Sequence, residues 1–302
     1  MNKLFSFLLA IGMTPMAFGQ TKIALNIGQE EQVYKSVTDN QIKFKKNQKV
    51  NDVQTCEFKF KQVNATDSTK GLEFVYEALT CSKRKKDSTT VLDTKHPRYP
   101  YAQNMTAVVG KPINLLISTK GQTTDSIPGI DSIVAHVYDS FVKLPDSAVV
   151  ENTKYRIKET YGESNTRSLI EAITTIAPDS IIKKNGTWTC NSQFIANLKA
   201  NIKTTYQLKS STESTYEIEG TSEISNGENC KFITNGISYK LEELNGTIKS
   251  EITLDKNTGL LNKGTYRIEA KAKTTAYNMF GSVEDGVNDE IEINIKQILS
   301  KE

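Results

Sequence analysis

The sequence has few of the residues that catalytic and metal sites usually need. Its 302 residues include two histidines, His96 and His136. It contains no Gly-x-Ser-x-Gly, His-Glu-x-x-His, phosphate-loop or dinucleotide-binding pattern. No two cysteines stand at the close spacing of a zinc ribbon or finger. Because catalysis needs clustered groups with matched pKa values, we expect a protein without enzyme activity, cofactor or bound metal.

An excess of charge of either sign is also missing. Lys and Arg number 38, Asp and Glu number 35, and the formal net charge is +3. This balance argues against a nucleic-acid partner. The one run of four basic residues, 83–86, is typical of a solvated loop. With 37% hydrophobic residues the composition is that of an ordinary globular protein.

Long hydrophobic runs are absent after the first residues. Lys3 is followed by an apolar run over residues 4–13 and by the small-x-small site Ala17-Phe18-Gly19, a pattern typical of a signal peptide over residues 1–19. No later run is long enough to be a transmembrane segment. No Cys follows the expected cleavage site, so we expect no lipid anchor. The sequence predicts an exported protein, periplasmic or extracellular.

Cysteine is scarce but even in number: Cys56, Cys81, Cys190 and Cys230. In an exported protein this favours disulfides, and three pairings are possible. Folding the first hairpin about Ser68 and Thr69 would set Cys56 opposite Cys81. Cys190 and Cys230 lie just beyond the ends of a second hairpin. We therefore expect Cys56–Cys81 and Cys190–Cys230 bridges; four free thiols are the alternative.

Alternating apolar and polar residues dominate both ends of the chain and predict long strands. Examples are residues 32–44, 49–63, 215–225 and 260–271. Residues 255–259, Asp-Lys-Asn-Thr-Gly, predict a hairpin turn. Long strands joined by local turns indicate an α+β protein with a large, curved, half-barrel-like antiparallel sheet.

The middle of the chain has helical spacing instead. After Pro128, apolar residues recur at Ile130, Val134, Val137 and Phe141, and two more helices are predicted over about 150–161 and 164–176. We therefore expect about three helices in residues 126–178. They would join two related β units, about 20–125 and 186–302, in one domain spanning 20–302. The likeness of the two units could also reflect only the general similarity of hairpins.

Trp188 is the only tryptophan and follows the turn predicted at Asn185-Gly186. Large aromatic residues at such junctions usually fill the core. We expect Trp188 to be structural; a ligand-facing position is the alternative.

Asp-Ser followed by Thr or a small or apolar residue occurs more often than chance predicts. The motif suits helix caps and turns. It is also similar to the O-glycosylation motif of exported Bacteroidota proteins. The candidate acceptors are Ser68, Ser88, Ser126, Ser132, Ser147 and Ser180.

Several short motifs in this order resemble one family. They include Phe18-Gly19-Gln20, residues 109–112, Lys120-Gly121, Ile130-Asp131, residues 161–163, residues 185–188 and residues 255–260. The chain is similar to an uncharacterised family of exported Bacteroidota proteins, the domain of unknown function numbered 6263. That family has no assigned activity, so the resemblance implies no catalytic residues. Its pattern looks like the open half-barrels of periplasmic lipoprotein carriers, an analogy of fold alone.

Two function classes follow. The first is a non-enzymatic envelope protein that binds an apolar or amphiphilic ligand on the concave face of the sheet. Its candidate ligand contacts are Ile130, Val134, Val137, Phe141 and Trp188, with the first helix as a lid. The second is a structural or protein-interaction module of the envelope, with a filled core and no ligand. In that case the first helix is an ordinary core helix.

Overall fold

The computed structural model describes residues 20–45, 49–85, 88–98, 100–124, 127, 130, 133, 158, 160–178, 181–234, 237–277 and 283–302. The strands are β1 Gln20–Thr21, β2 Gln32–Phe44, β3 Lys49–Ala65, β4 Thr69–Lys85, β5 Ser88–Asp93, β6 Pro112–Ser118, β7 Ile182–Lys183, β8 Thr187–Ile195, β9 Leu198–Ser211, β10 Thr215–Ser225, β11 Lys231–Thr234, β12 Ile237–Asp255, β13 Leu261–Tyr277 and β14 Val283–Lys301. The helices are α1 Pro100–Met105, a 3₁₀ turn Thr106–Val108, and α2 Glu163–Thr174.

Twelve of these strands form one antiparallel sheet, as the sequence predicts. Strand β9 lies between β8 on one side and β10 and β11 on the other, because β8 and β10 pair with the same β9 residues. The order then continues β12-β13-β14-β2-β3-β4. Strands β5 and β6 lie end to end beside β4. The C-terminal strand β14 therefore pairs with the early strand β2, and this joins the two ends of the chain in the middle of the sheet.

Alternation of residue type explains why each strand has one buried face. In β2 the even positions from Gln32 to Ile42 are buried, and the residues between them are more exposed. The outward face carries ion pairs such as Lys43–Glu292 at 3.4 Å and Lys61–Glu73 at 3.0 Å. Exposed pairs contribute about 0–1 kcal/mol each, so their main effect is to keep this face in water.

The inward face of β2, β3 and β4 is an aromatic core. Tyr34 stacks on Phe58 and Phe60 with ring centroids 5.9 and 5.7 Å apart. Phe74 lies 5.2 Å from Phe58 and 4.8 Å from Tyr76. All five rings are at most 1% exposed. These rings therefore form a continuous, fully buried cluster across three adjacent strands.

The predicted number of about three mid-chain helices is wrong for the residues described. Between positions 126 and 178 the structure describes one helix, α2, which agrees with the third predicted helix. Gly162, with extended backbone, precedes α2, and Pro178 follows it. The other two predicted helices lie mostly outside the described residues. Apolar spacing alone does not fix how many separate helices such a segment forms.

A short helical stretch was also missed. The helix α1 and the 3₁₀ turn occupy residues 100–108, where the sequence analysis predicts no helix. Ala102, Met105 and Val108 are buried. A helix of six residues spans fewer than two turns, so it leaves almost no periodic signal in the sequence.

Neither of the two predicted disulfides is found in the structure. In the first hairpin the turn lies at residues 66–69, where Thr66 N donates to Thr69 O at 2.8 Å. Its centre is one residue earlier than expected, and at Cys56 and Cys81 this moves the cross-strand partner by two positions. Cys56 therefore faces Leu79, and Cys81 faces Gln54. The two thiols become diagonal neighbours, about 7–8 Å apart at Cα, beyond the usual disulfide span.

The second predicted bridge is prevented by strand order. Cys190 lies on β8, and Cys230 directly precedes β11. Strands β8 and β11 flank β9 on opposite sides, since both pair with Leu198 and Lys199. Two strand spacings, about 9–10 Å, separate them. Burial also raises the pKa of the Cys56 thiol, which keeps that sulfur protonated and unreactive.

Candidate functional site

The two ends of the long sheet approach each other where β8 faces the loop after β6. Gln122 Nε2 in that loop donates to the backbone oxygen of Asn191 on β8 at 3.1 Å. Helix α2 contacts both sides of this junction. Ser168 Oγ donates to Ala196 O at 2.5 Å, and Thr174 Oγ1 donates to Gly121 O at 2.6 Å. We call this junction of residues 121–123, α2 and β8 the seam.

Gly121 is required for the close approach at the seam. Its φ of +80° lies in the left-handed region, which favours glycine. A Cβ placed there would lie 2.2 Å from the backbone oxygen of Thr174. Only a residue without a side chain therefore lets the loop after β6 touch the last turn of α2.

The inward side of α2 is packed against the sheet. Leu169, Ile170 and Ile173 are at most 3% exposed. Tyr76 Oη lies 2.9 Å from Thr166 Oγ1, and Tyr266 Oη donates to Ala172 O at 3.1 Å. The space beneath this helix is filled by side chains.

Trp188 completes this packing. Its Nε1 donates to Ile176 O just beyond α2 at 2.9 Å, and its ring lies 5.6 Å from that of Tyr206. The residue is half-buried and packs against the core. These contacts favour the structural interpretation of Trp188.

The outward side of α2 carries a chain of charged and polar contacts. Arg167 Nε and Nη2 donate to Glu163 Oε1 at 2.8 and 2.6 Å. Arg167 Nη1 donates to Thr123 Oγ1 at 2.9 Å, and that hydroxyl donates in turn to Glu171 Oε1. The backbone N–H of Thr123 donates to the same carboxylate oxygen at 3.2 Å. Arg167 is 7% exposed and Glu171 is 6% exposed.

Burial raises the pKa of Glu171, and the hydrogen bonds from Thr123 and the charge of Arg167 oppose that shift. The net direction is upward, which means that desolvation outweighs its polar partners. A perturbed carboxyl group beside a cavity is a common feature of functional sites, although structural networks produce it too.

A groove of about 740 Å³ adjoins this network, and we call it the seam groove. It is lined by Gln122, Thr123, Arg167, Glu171, Asn191, Ser192, Gln193, Phe194, Asn201, Ile202, Lys203, Glu223, Ile224 and Ser225. Four of these residues carry carboxamides and three carry hydroxyls; the others are two cations, two carboxylates, one aromatic residue and two isoleucines.

Strand register explains how three strands contribute to one wall of the groove. Asn191 of β8 pairs with Lys203 of β9, and Lys203 pairs with Glu223 of β10. Directly opposite residues point to the same face of a sheet. A β-bulge between Ser192 and Phe194 then changes the register of β8 at the end of the groove.

A second cavity, of about 390 Å³, lies along β2, β13 and β14. Its charged side chains are already paired: Lys45 with Glu290 at 3.3 Å, and Lys273 with Glu243 at 2.6 Å. This trough is therefore an extension of the ion-pair pattern of the outer face. Among the described residues, no three His, Cys, Asp or Glu side chains come together as metal ligands would.

Of the five predicted ligand contacts, the structure describes Ile130 and Trp188. Ile130 is 4% exposed and belongs to the hydrophobic core, and Trp188 packs against the same core. Neither lines the seam groove. Val134, Val137 and Phe141 lie outside the described residues, so their part in a ligand site stays a prediction.

The groove residues on α2 were missed by sequence reasoning, although a signal was present. Glu163, Arg167 and Glu171 are spaced by four, which places them on one face of a helix. That stripe of alternating charge lies opposite the apolar stripe by which the helix was recognised.

Two of the six candidate glycosylation serines are described. Ser68 lies in the exposed turn between β3 and β4, and Ser88 is exposed at the start of β5. Ser126, Ser132, Ser147 and Ser180 lie outside the described residues. Glycosylation at all six stays a prediction.

Comparison with known proteins gives a family but no activity. The model of a family of unknown function, DUF6263, matches residues 67–261. No curated protein matches the chain. The structure "Lipid-protein interactions in lipovitellin" is 10% identical and has a TM-score of 0.46. The match covers 91% of this chain and 25% of that one, so this chain spans about a quarter of the length of the lipovitellin chain.

A second solved structure, "Salmonella typhi OmpF complex with Daunomycin", is 8% identical, with coverage of 90% of this chain and 98% of that one and a TM-score of 0.20. Both scores are too low to support any argument about function. Within the described part of the chain, none of the helices combines the length and the apolar character of a membrane span.

Proposed function

We propose that this chain, which belongs to the DUF6263 family of unknown function, is an exported, non-catalytic envelope protein that binds a ligand in the seam groove. One observation carries the proposal. Two charged side chains that line the seam groove, Arg167 and Glu171, are more than nine-tenths buried. Burying such groups costs more than burying apolar residues of the same size. A role in ligand binding would explain why the protein nevertheless buries these two charged side chains.

The hydrogen bonds of Glu171 fit a binding role for the groove better than a catalytic role. A general acid needs its oxygen within reach of the substrate. Glu171 Oε1 instead accepts two hydrogen bonds from Thr123. We therefore assign Glu171 a positioning role: it holds Thr123, and through Thr123 the Arg167 side chain.

A structural or interaction module without a ligand is the second candidate. The filled space beneath α2 favours it, because Leu169, Ile170 and Ile173 leave no apolar cavity there. The same observation weakens the hypothesis of an apolar or amphiphilic ligand on the concave face. That hypothesis now depends on Val134, Val137 and Phe141.

Native mass spectrometry of the full chain, purified from its own envelope, tests the proposal. Asn191→Trp places a large ring in the groove but keeps the backbone oxygen that Gln122 contacts. Thr189→Trp is the matched control, since Thr189 is exposed on the same strand and face but does not line the groove. We expect a bound mass in the wild-type chain and in Thr189→Trp, and its loss in Asn191→Trp.

The other outcomes are equally decisive. A bound mass that Asn191→Trp retains would put the ligand elsewhere, and an apolar mass would favour the concave face. If the wild-type chain carries no bound mass, the second candidate is supported.

A further inference from the structure

We infer that the seam groove takes a neutral, polyhydroxylated ligand, namely a short segment of a glycan. This inference rests on the proposed function and adds the chemical class of the ligand. The groove volume of about 740 Å³ lies within the range of about 300–1,000 Å³ typical of small-molecule sites. That space is larger than a single ion or a small carboxylate needs.

Charge balance within the groove argues against a charged ligand. Its two cations, Arg167 and Lys203, are matched by two carboxylates, Glu171 and Glu223. The buried guanidinium is already bound by Glu163 outside the groove lining. Lys203 and Glu223 occupy directly opposite positions on β9 and β10. An anionic ligand would meet the two carboxylates, and a cationic ligand would meet the two cations.

The uncharged side chains suit hydroxyl groups. A carboxamide offers two donors and one acceptor oxygen, and a hydroxyl can act as donor and as acceptor. Four carboxamides line the groove, from Gln122, Asn191, Gln193 and Asn201, together with the hydroxyls of Ser192 and Ser225. Asn201 Nδ2 donates to Asn226 O at 2.7 Å, which fixes that carboxamide. Neighbouring hydroxyls on a sugar ring present the same mixture of donors and acceptors.

Phe194 supplies the apolar part of the site. Its ring is half-buried and lines the groove, with the guanidinium of Arg167 5.8 Å from the ring centroid. The C–H groups on one face of a sugar ring are apolar and can pack on such a surface. A polar wall with one aromatic ring therefore matches the two sides of a pyranose.

Isothermal titration of the full chain against defined oligosaccharides tests this inference. The neutral probes are maltoheptaose, cellohexaose, xylohexaose and mannohexaose; the charged probes are a galacturonic acid hexamer and a chitosan hexamer. We expect binding of at least one neutral probe, with less than a twofold change between 50 and 500 mM salt, since screening acts mainly on charged contacts. Asn191→Trp should abolish binding, and Gln193→Ala should weaken it about three- to tenfold, as expected for one hydrogen bond. Thr189→Trp and Thr189→Ala should bind as the wild type does.

Three results would overturn the inference: no neutral probe binds, only a charged probe binds with strong salt dependence, or binding survives in Asn191→Trp. Failure here is distinct from failure of the proposed function. If Asn191→Trp removes a co-purified ligand whose mass and composition contain no sugar, the groove is still a binding site and only its chemical class is wrong.

Discussion

The aromatic core and the seam are held together by opposite kinds of contact. In the core, Tyr34, Phe58 and Phe74 belong to adjacent central strands, and every ring is almost completely buried. At the seam, side chains such as Gln122 and Arg167 join pieces of chain that belong to opposite ends of the sheet. The core stabilises the fold through burial, whereas the seam fixes the position of α2 through polar contacts beside a groove.

Removing a core ring should have the largest effect. Phe74→Ala deletes a fully buried side chain between Phe58 and Tyr76, and we expect a loss of about 3–5 kcal/mol in the free energy of unfolding. Leu116→Ala on β6 is the control, because Leu116 is 43% exposed and should cost less than about 0.5 kcal/mol. Urea titration measures both. Equal losses would show that the core does not dominate stability.

Gly121→Ala tests how closely the seam is packed. The added Cβ would meet the Thr174 backbone and would also occupy a left-handed conformation, and we expect a loss of about 3 kcal/mol from these two effects together. Gly110→Ala is the matched control, since Gly110 has a φ of +73° with nothing within 4 Å of the Cβ position. It should lose only about 1 kcal/mol. Similar losses for both would mean that α2 is not held against this loop.

Trp188→Phe removes one hydrogen bond at the border between the two regions. The substitution leaves Ile176 O without its indole donor and keeps an aromatic ring against Tyr206. We expect a loss of about 1–2 kcal/mol, measured by urea titration. A change below about 0.3 kcal/mol would place the indole in solvent and favour a ligand-facing role.

The pH dependence that Glu171 gives to the stability of the seam should be the smallest of these effects. Burial raises the pKa of Glu171 in the folded state above its ordinary value of 4.5. Between that value and the raised pKa, Glu171 is protonated more often in the folded chain than in the unfolded chain. The contribution of Glu171 to stability should therefore fall as pH rises from about 4.5 through the raised pKa, and then level off. Glu171→Gln should lack this fall. Urea midpoints between pH 4 and 8 for both chains decide it, and parallel curves would contradict the assignment.

The sheet could be predicted from the sequence because its signal is local. The alternation of apolar and polar residues predicted the bounds of β2. The turn at Asp255 also forms as predicted, and Asp255 Oδ1 accepts a hydrogen bond from Thr258 N at 2.8 Å. The disulfides could not be predicted, because a turn shifted by one residue places Cys56 opposite Leu79 and not opposite Cys81. Strand order also separates Cys190 from Cys230, and hairpin composition does not encode that order.

The seam could not be predicted from local sequence patterns, for a related reason. Gln122 and Asn191 are far apart in sequence, and only the tertiary fold brings them together. The i, i+4 spacing of Arg167 and Glu171 indicated a charged helix face. It could not indicate that this face would be buried against Thr123.

Hydrogen–deuterium exchange of the ligand-loaded and ligand-stripped chain tests the central claim most directly. If the seam groove is the binding site, the ligand should slow exchange in peptides that cover residues 121–124, 163–174 and 190–203. Peptides from the outer trough, 43–45 and 290–292, should exchange equally in both states. Protection confined to the trough, or spread evenly over the sheet with none at the seam, would contradict the account.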